Sequence, residues 1–127
     1  MRKFFAGLAA VACVVALAAP AFAATETVRG QIVDQMCYMH DMTNNKGMDH
    51  KMPADTAGCA AACAKKGAPM ALLTSDGKVY TIAGDLVANK NAKIVPHVSH
   101  TVEITGDVAT KDGKTTITSD SLKMISR

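Results

Sequence analysis

A mainly β fold, a small five-stranded barrel of the OB type with one short helix, is predicted for this sequence by three observations. Two segments, residues 68–84 and 100–125, each carry a strand-like run, an Asp-Gly turn and a second run, which is the signature of a β-hairpin. A further strand-like run, residues 27–34, stands alone ahead of them. Between that run and the first hairpin lies an alanine-rich stretch of helical composition. Five short strands with an inserted helix fit a small closed barrel, with a β-sandwich fragment as the alternative.

The elements follow in order. Met1, Arg2 and Lys3 give a positive start, residues 4–19 form an apolar run broken only by Gly7, and Ala21-Phe22-Ala23 has the small-x-small pattern read by a signal peptidase. Residues 1–23 are therefore expected to be a removed secretory signal, leaving residues 24–127 as a single domain. The run is too short, and too soon followed by Pro20, for a stable membrane span. Lipid attachment at Cys13 is the alternative, although the apolar run continues past it and Ala10 stands where a leucine is expected. A short alanine-rich signal points to the bacterial periplasm or the exterior. Next comes the strand "TVRGQIVD" at 27–34. The helix is "GCAAACAKKG" at 58–67, with Lys65 and Lys66 in its last turn and Gly67 as its stop. The first hairpin turns at Asp76-Gly77, residues 85–93 suggest a second, weaker helix, and the last hairpin turns at Asp112-Gly113. Met70 and Met124 fall within strand patterns and are expected in the core.

Composition sets limits. All three phenylalanines lie in the signal segment, so the mature part has no Phe or Trp and only Tyr38 and Tyr80 as aromatics. Its core must be aliphatic and small, and a chain of about a hundred residues buries only a modest one. A disulfide or metal staple would help it. Loss of Arg2 and Lys3 takes the formal charge from +3 to +1. Neither a basic face nor aromatic platforms are present, so no nucleic-acid partner is expected. The sequence lacks G-x-S-x-G, H-E-x-x-H, a phosphate loop and C-x-x-C-H, and no enzyme activity is expected.

The chemistry is concentrated in residues 36–58. The stretch "MCYMHDMTNNKGMDHKM" holds Met36, Met39, Met42, Met48 and Met52 with Cys37, His40 and His50, and no strand or helix periodicity accounts for the methionines as core. Thioethers and imidazoles are donors for Cu(I), and oxidation to a disulfide does not remove them. Cys37, Cys59 and Cys63 remain after processing, an odd number that cannot be fully paired within one chain. Cys59 and Cys63 stand at i and i+4 of the expected helix, with Cβ atoms about 5–6 Å apart. A disulfide wants about 3.5–4.5 Å, whereas two thiolates about 2.3 Å from one ion can be reached from a single helical face. Cys37 would add a third sulfur, and His50 or His40 a nitrogen. Alternatively Cys37 bonds to Cys59 or Cys63, stapling an interaction module without metal, or the cysteines carry out thiol-disulfide exchange. His97 and His100, just ahead of the last hairpin, are expected to be structural or solvent-facing.

Asp34, Cys37 and Tyr38, followed by Cys59, Ala60, Cys63, Ala64, Gly67 and Pro69, make the pattern D-x-x-C-Y then C-A-x-x-C-A-x-x-G-x-P. This resembles a group of small secreted bacterial proteins of unknown function. The chain is also similar, more loosely, to the periplasmic copper and silver chaperones of metal-efflux systems. Those are OB-fold proteins that hold Cu(I) with methionines and a histidine beneath a tryptophan cap, and this chain has no tryptophan. The residues and the likeness together lead to the expectation of a periplasmic or secreted protein that binds Cu(I), with Zn(II) the alternative, for storage, delivery or sensing. Cys37, Cys59 and Cys63 are the expected thiolate ligands and His50 the nitrogen ligand. Met36, Met39, Met42, Met48, Met52 and His40 are the auxiliary donors, and a membrane or periplasmic metal-handling protein is the expected partner.

Overall fold

The computed structural model describes residues 23–42 and 54–127. The expected signal segment lies outside them except for Ala23, and so do Met48, His50 and Met52. Six strands form one sheet: β1 (Ala24–Asp34), β2 (Met70–Leu73), β3 (Val79–Ala83), β4 (Thr101–Lys111), β5 (Lys114–Thr118) and β6 (Leu122–Ser126). At 11 residues, β1 is long enough to serve two neighbours. Its first part runs antiparallel to β4, from Ala24 opposite Val108 to Gln31 opposite Thr101, and its last part antiparallel to β2, from Gln31 opposite Leu73 to Asp34 opposite Met70. β2 turns back into β3, β3 lies parallel to β5, and β5 returns antiparallel to β4. The circuit β1-β2-β3-β5-β4 thereby closes into the expected five-stranded, OB-like barrel.

Closure forces backbones together at two glycines. A Cβ on Gly30 would stand 2.5 Å from the Leu73 carbonyl oxygen, and one on Gly106 would stand 2.3 Å from that of Thr118. No side chain fits at either point.

The sixth strand departs from the expectation. The return of the last hairpin breaks at Ser119, whose hydroxyl donates to the Thr105 carbonyl at 2.7 Å and accepts the Ser121 N–H at 3.3 Å. The chain then resumes as β6 along the first part of β4, with Leu122 opposite Ile104. The cause is a length mismatch, since β4 has 11 residues and β5 only five. The remaining edge of β4 would otherwise leave unpaired N–H and C=O groups. Met124 rides on this outer strand and is 41% exposed, contrary to its expected place in the core, whereas Met70 is fully buried.

The interior is aliphatic, as the lack of Phe and Trp requires. Val28 and Ile32 of β1, Leu72, Ile82, Val102, Ile104 and Ile117 meet inside the barrel with Leu86, Ile94 and Val98 from the β3–β4 connection. Helix α1 (Gln35–His40) and helix α2 (Ala54–Lys65) lie between β1 and β2. α2 starts ahead of its expected beginning at 58 and adds Ala60 and Ala64 to the same core.

The expected helix over 85–93 is instead a 3-10 turn (Gly84–Val87) followed by a short piece, Ala88–Asn91. Asn89, Lys90 and Asn91 adopt left-handed φ values of 52, 56 and 60°, a conformation asparagine tolerates better than most residues. The reward is the placement of Asn91 beneath the end of α2. Buried there, its Nδ2 donates to the carbonyls of Ala64 and Ala68, each at 2.9 Å. Gly67, at φ 88°, ends α2 where expected, and the Ala68 N–H donates to the Cys63 carbonyl at 3.1 Å.

A second 3-10 turn, Val95–His97, leads into β4. His97 and His100 are half-buried, with ring centroids 6.0 Å apart and planes at 71°. The Ile32 N–H donates to the His100 carbonyl at 3.1 Å, and the Ser99 N–H to the Ile32 carbonyl at 2.9 Å, so this turn is bound to β1. Burial, then His97, then Arg127 hold His100 below the usual histidine value of 6.5. Among the described residues no helix is long and apolar enough to cross a membrane.

Two substitutions test this packing. Ile104→Ala, in the centre of the barrel, should cost about 2–5 kcal/mol in denaturant unfolding. Asn91→Ala removes two hydrogen bonds, leaving the Ala64 carbonyl with the Gly67 N–H and taking the Asn91 donor from that of Ala68, so it should cost about 1–3 kcal/mol. Amide exchange should rise in the last turn of α2 more than in the barrel strands.

Candidate functional site

The last residue of β1, Asp34, is only 2% exposed. Its backbone, at φ −69° and ψ 118°, is extended, and its Oδ1 accepts the Cys37 N–H at 2.9 Å as the N-cap of α1. Carboxylates suit this position because the first N–H groups of a helix have no partner within it. The helix is only six residues long and is tied at both ends. The Gln35 N–H donates to the Pro69 carbonyl at 3.1 Å, Thr81 Oγ1 donates to Gln35 Oε1 at 3.2 Å, and the Asp41 N–H closes on the Cys37 carbonyl at 3.0 Å.

Tyr38 anchors α1 in a small cluster on the outer side of the sheet, with Val33, Ala71, Leu73 and Val79. With Tyr38 turned in, the methionines turn out: Met36, Met39 and Met42 are 66, 64 and 55% exposed. Hydrophobic packing does not account for them. His40 is exposed in the last turn, three residues on from Cys37 and therefore on a neighbouring part of the helix surface.

Helix α2 supplies the other two thiols. Ala60 and Ala64 face the core, and Cys59 and Cys63 each precede one of them, which places both on the adjoining stripe. Cys59 is exposed and Cys63 half-buried, and all three cysteines are free. The Asp34 carboxylate lies near enough to the thiols of Cys37 and Cys63 to act on both, and Cys59 lies near enough to act on Cys63. One buried carboxylate thus gathers sulfur from two helices that are separated in sequence by the donor-rich stretch.

The structure places Cys37 on α1 and Cys59 and Cys63 on α2, with Cys37 and Cys63 both near Asp34. It places Met36, Met39, Met42 and His40 beside Cys37 in the sequence of α1 and its end, while Met48, His50 and Met52 lie outside the described residues. Among the described residues, no three His, Cys, Asp or Glu side chains already surround a point that one ion would occupy. Asp34 was given no role on sequence grounds. Its signal was an acidic residue immediately before a short cysteine-bearing segment, the place of an N-cap.

Burial first, and then the Asp34 carboxylate, push the Cys37 and Cys63 thiols above the usual 9.0. The folded protein thus holds these protons more tightly than the unfolded chain does. The resulting stabilisation is complete below pH 9.0 and is lost as pH rises through the higher folded values. Asp34→Asn keeps a capping side chain and removes the charge. It should shift the onset of iodoacetamide labelling at Cys37 and Cys63 to lower pH, read by mass spectrometry, and lessen the alkaline loss of stability. Labelling profiles identical to those of the parent would mean that the carboxylate does not govern the thiols.

No family model, curated protein or solved structure matches the chain.

Proposed function

We propose that this protein binds Cu(I), with Zn(II) the alternative cargo, in the periplasm or outside the cell, for storage, delivery or sensing. The observation that supports the reading is three free thiols on α1 and α2, two of which, Cys37 and Cys63, lie near the buried Asp34 carboxylate. Thiolates are soft donors, and the exposed thioethers of Met36, Met39 and Met42 lie on the segment that bears Cys37. A bound cation takes the place of thiol protons beside the buried carboxylate, so it offsets the charge that three thiolates would otherwise add there. Cys37, Cys59 and Cys63 are the ligands, with His50 as nitrogen donor. His40 and the methionines at 36, 39, 42, 48 and 52 capture and transfer the ion, and the loose likeness to periplasmic copper chaperones points the same way.

A competition titration against a Cu(I) chelator tests the reading. Cys59→Ser combined with Cys63→Ser should weaken binding by more than the roughly 10–100-fold that an outer-shell change costs. Thiol counting on protein isolated from the periplasm should find all three after chelation. A single reactive thiol would favour the disulfide-stapled module, and equal affinity for Cu(I) and Mg(II) would exclude a soft site.

The methionines are separable from the cysteines. Leucine at positions 39, 42, 48 and 52 roughly keeps volume and apolarity while removing sulfur. That variant should fold and retain Cu(I) like the parent but load it more slowly in stopped-flow transfer. Equal loading rates would assign the methionines a passive role.

A further inference from the structure

We infer that His97 and His100 form a second metal site, separate from the thiols and built of nitrogen donors, with Cu(II) as its ion. The Nδ1 atoms of both rings are shut off from solvent and have no hydrogen-bond partner. A buried acceptor left without a donor costs about 1–3 kcal/mol. Two such buried nitrogens occur in one short turn, and with the ring protons on Nε2 a cation bound between the rings would satisfy both.

The spacing agrees. With metal–nitrogen bonds of about 2.0–2.1 Å, two imidazoles on one ion have centroids about 5–6 Å apart. These stand at 6.0 Å, within that span. The turn is held for the purpose: Pro96 limits its backbone, Val98 is buried in the core between the two histidines, and Ile32 bonds to both Ser99 and His100. Imidazole suits borderline ions, and among the common divalent metals Cu(II) binds such donors most tightly. Arg127 is the opposing charge, acting on His100 from the end of the chain.

The test uses the full chain with Cys37, Cys59 and Cys63 changed to serine, so the thiol site takes no part. Cupric ion is titrated in and followed by electron paramagnetic resonance for coupling to nitrogen. The expected result is bound Cu(II) with two nitrogen ligands, lost in His97→Asn with His100→Asn and kept in His40→Asn with His50→Asn. Arg127→Gln should tighten the binding. Loss with the His40 and His50 changes but not with the His97 and His100 changes overturns the inference. A reading that needs no histidine substitution is paramagnetic broadening of the His97 and His100 ring protons in the serine variant. Its absence at a saturating Cu(II) concentration overturns the inference too, whereas Cu(I) binding by the unsubstituted cysteines is judged separately.

Discussion

A carboxylate taken out of water must be supplied with donors, and Asp34 is buried at the end of β1. The donors come from outside the barrel. The first turn of α1 offers the Cys37 N–H, and the thiols of Cys37 and Cys63 lie near the same carboxylate. That demand fixes where α1 starts and which way Cys37 faces. It also draws Cys63, from a helix far along the chain, to the same point.

The two parts of the molecule are held by different means. The barrel rests on aliphatic side chains that are almost wholly buried and on glycines whose neighbours leave no room for a Cβ. α2 presents alanines to the core, and small side chains bury little apolar area. Its position depends instead on polar contacts at its end, chiefly the two carbonyls held by Asn91. A helix held this way opens locally at lower cost than the strands beneath it. The cysteines it carries therefore sit on a part of the fold that opens more readily than the barrel.

Sulfur and imidazole donors are mounted on one strand end. Ile32 bonds through both its N–H and its carbonyl to the turn carrying His97 and His100, and two residues later Asp34 organises the thiols. The strand advances about 3.3 Å per residue, so the two donor sets are attached to β1 within one or two residue lengths. Their chemistry differs, since soft thiolates suit Cu(I) and borderline imidazoles suit Cu(II).

How much of this was legible in the sequence depends on how local each signal is. The hairpins announced themselves through Asp76-Gly77 and Asp112-Gly113, because a tight turn is written in the residues that make it. The aliphatic core, the end of α2 at Gly67 and the pairing of Cys59 with Cys63 on one helix stripe were equally local. What the tertiary structure decided were matters of partnership. β6 split from β5 because β4 is the longer strand, and Met124 moved outside with it. The segment at 85–93 gave up a helix so that Asn91 could satisfy the end of α2, a need invisible from within that segment. Asp34 became the centre of the site only when folding brought Cys63 to a carboxylate 29 residues earlier in the chain. Residue type and spacing determined the sheet and the stock of donors, because both depend on near neighbours. Closure of the barrel determined which donors meet, because a buried charge must find its partners wherever the fold brings them.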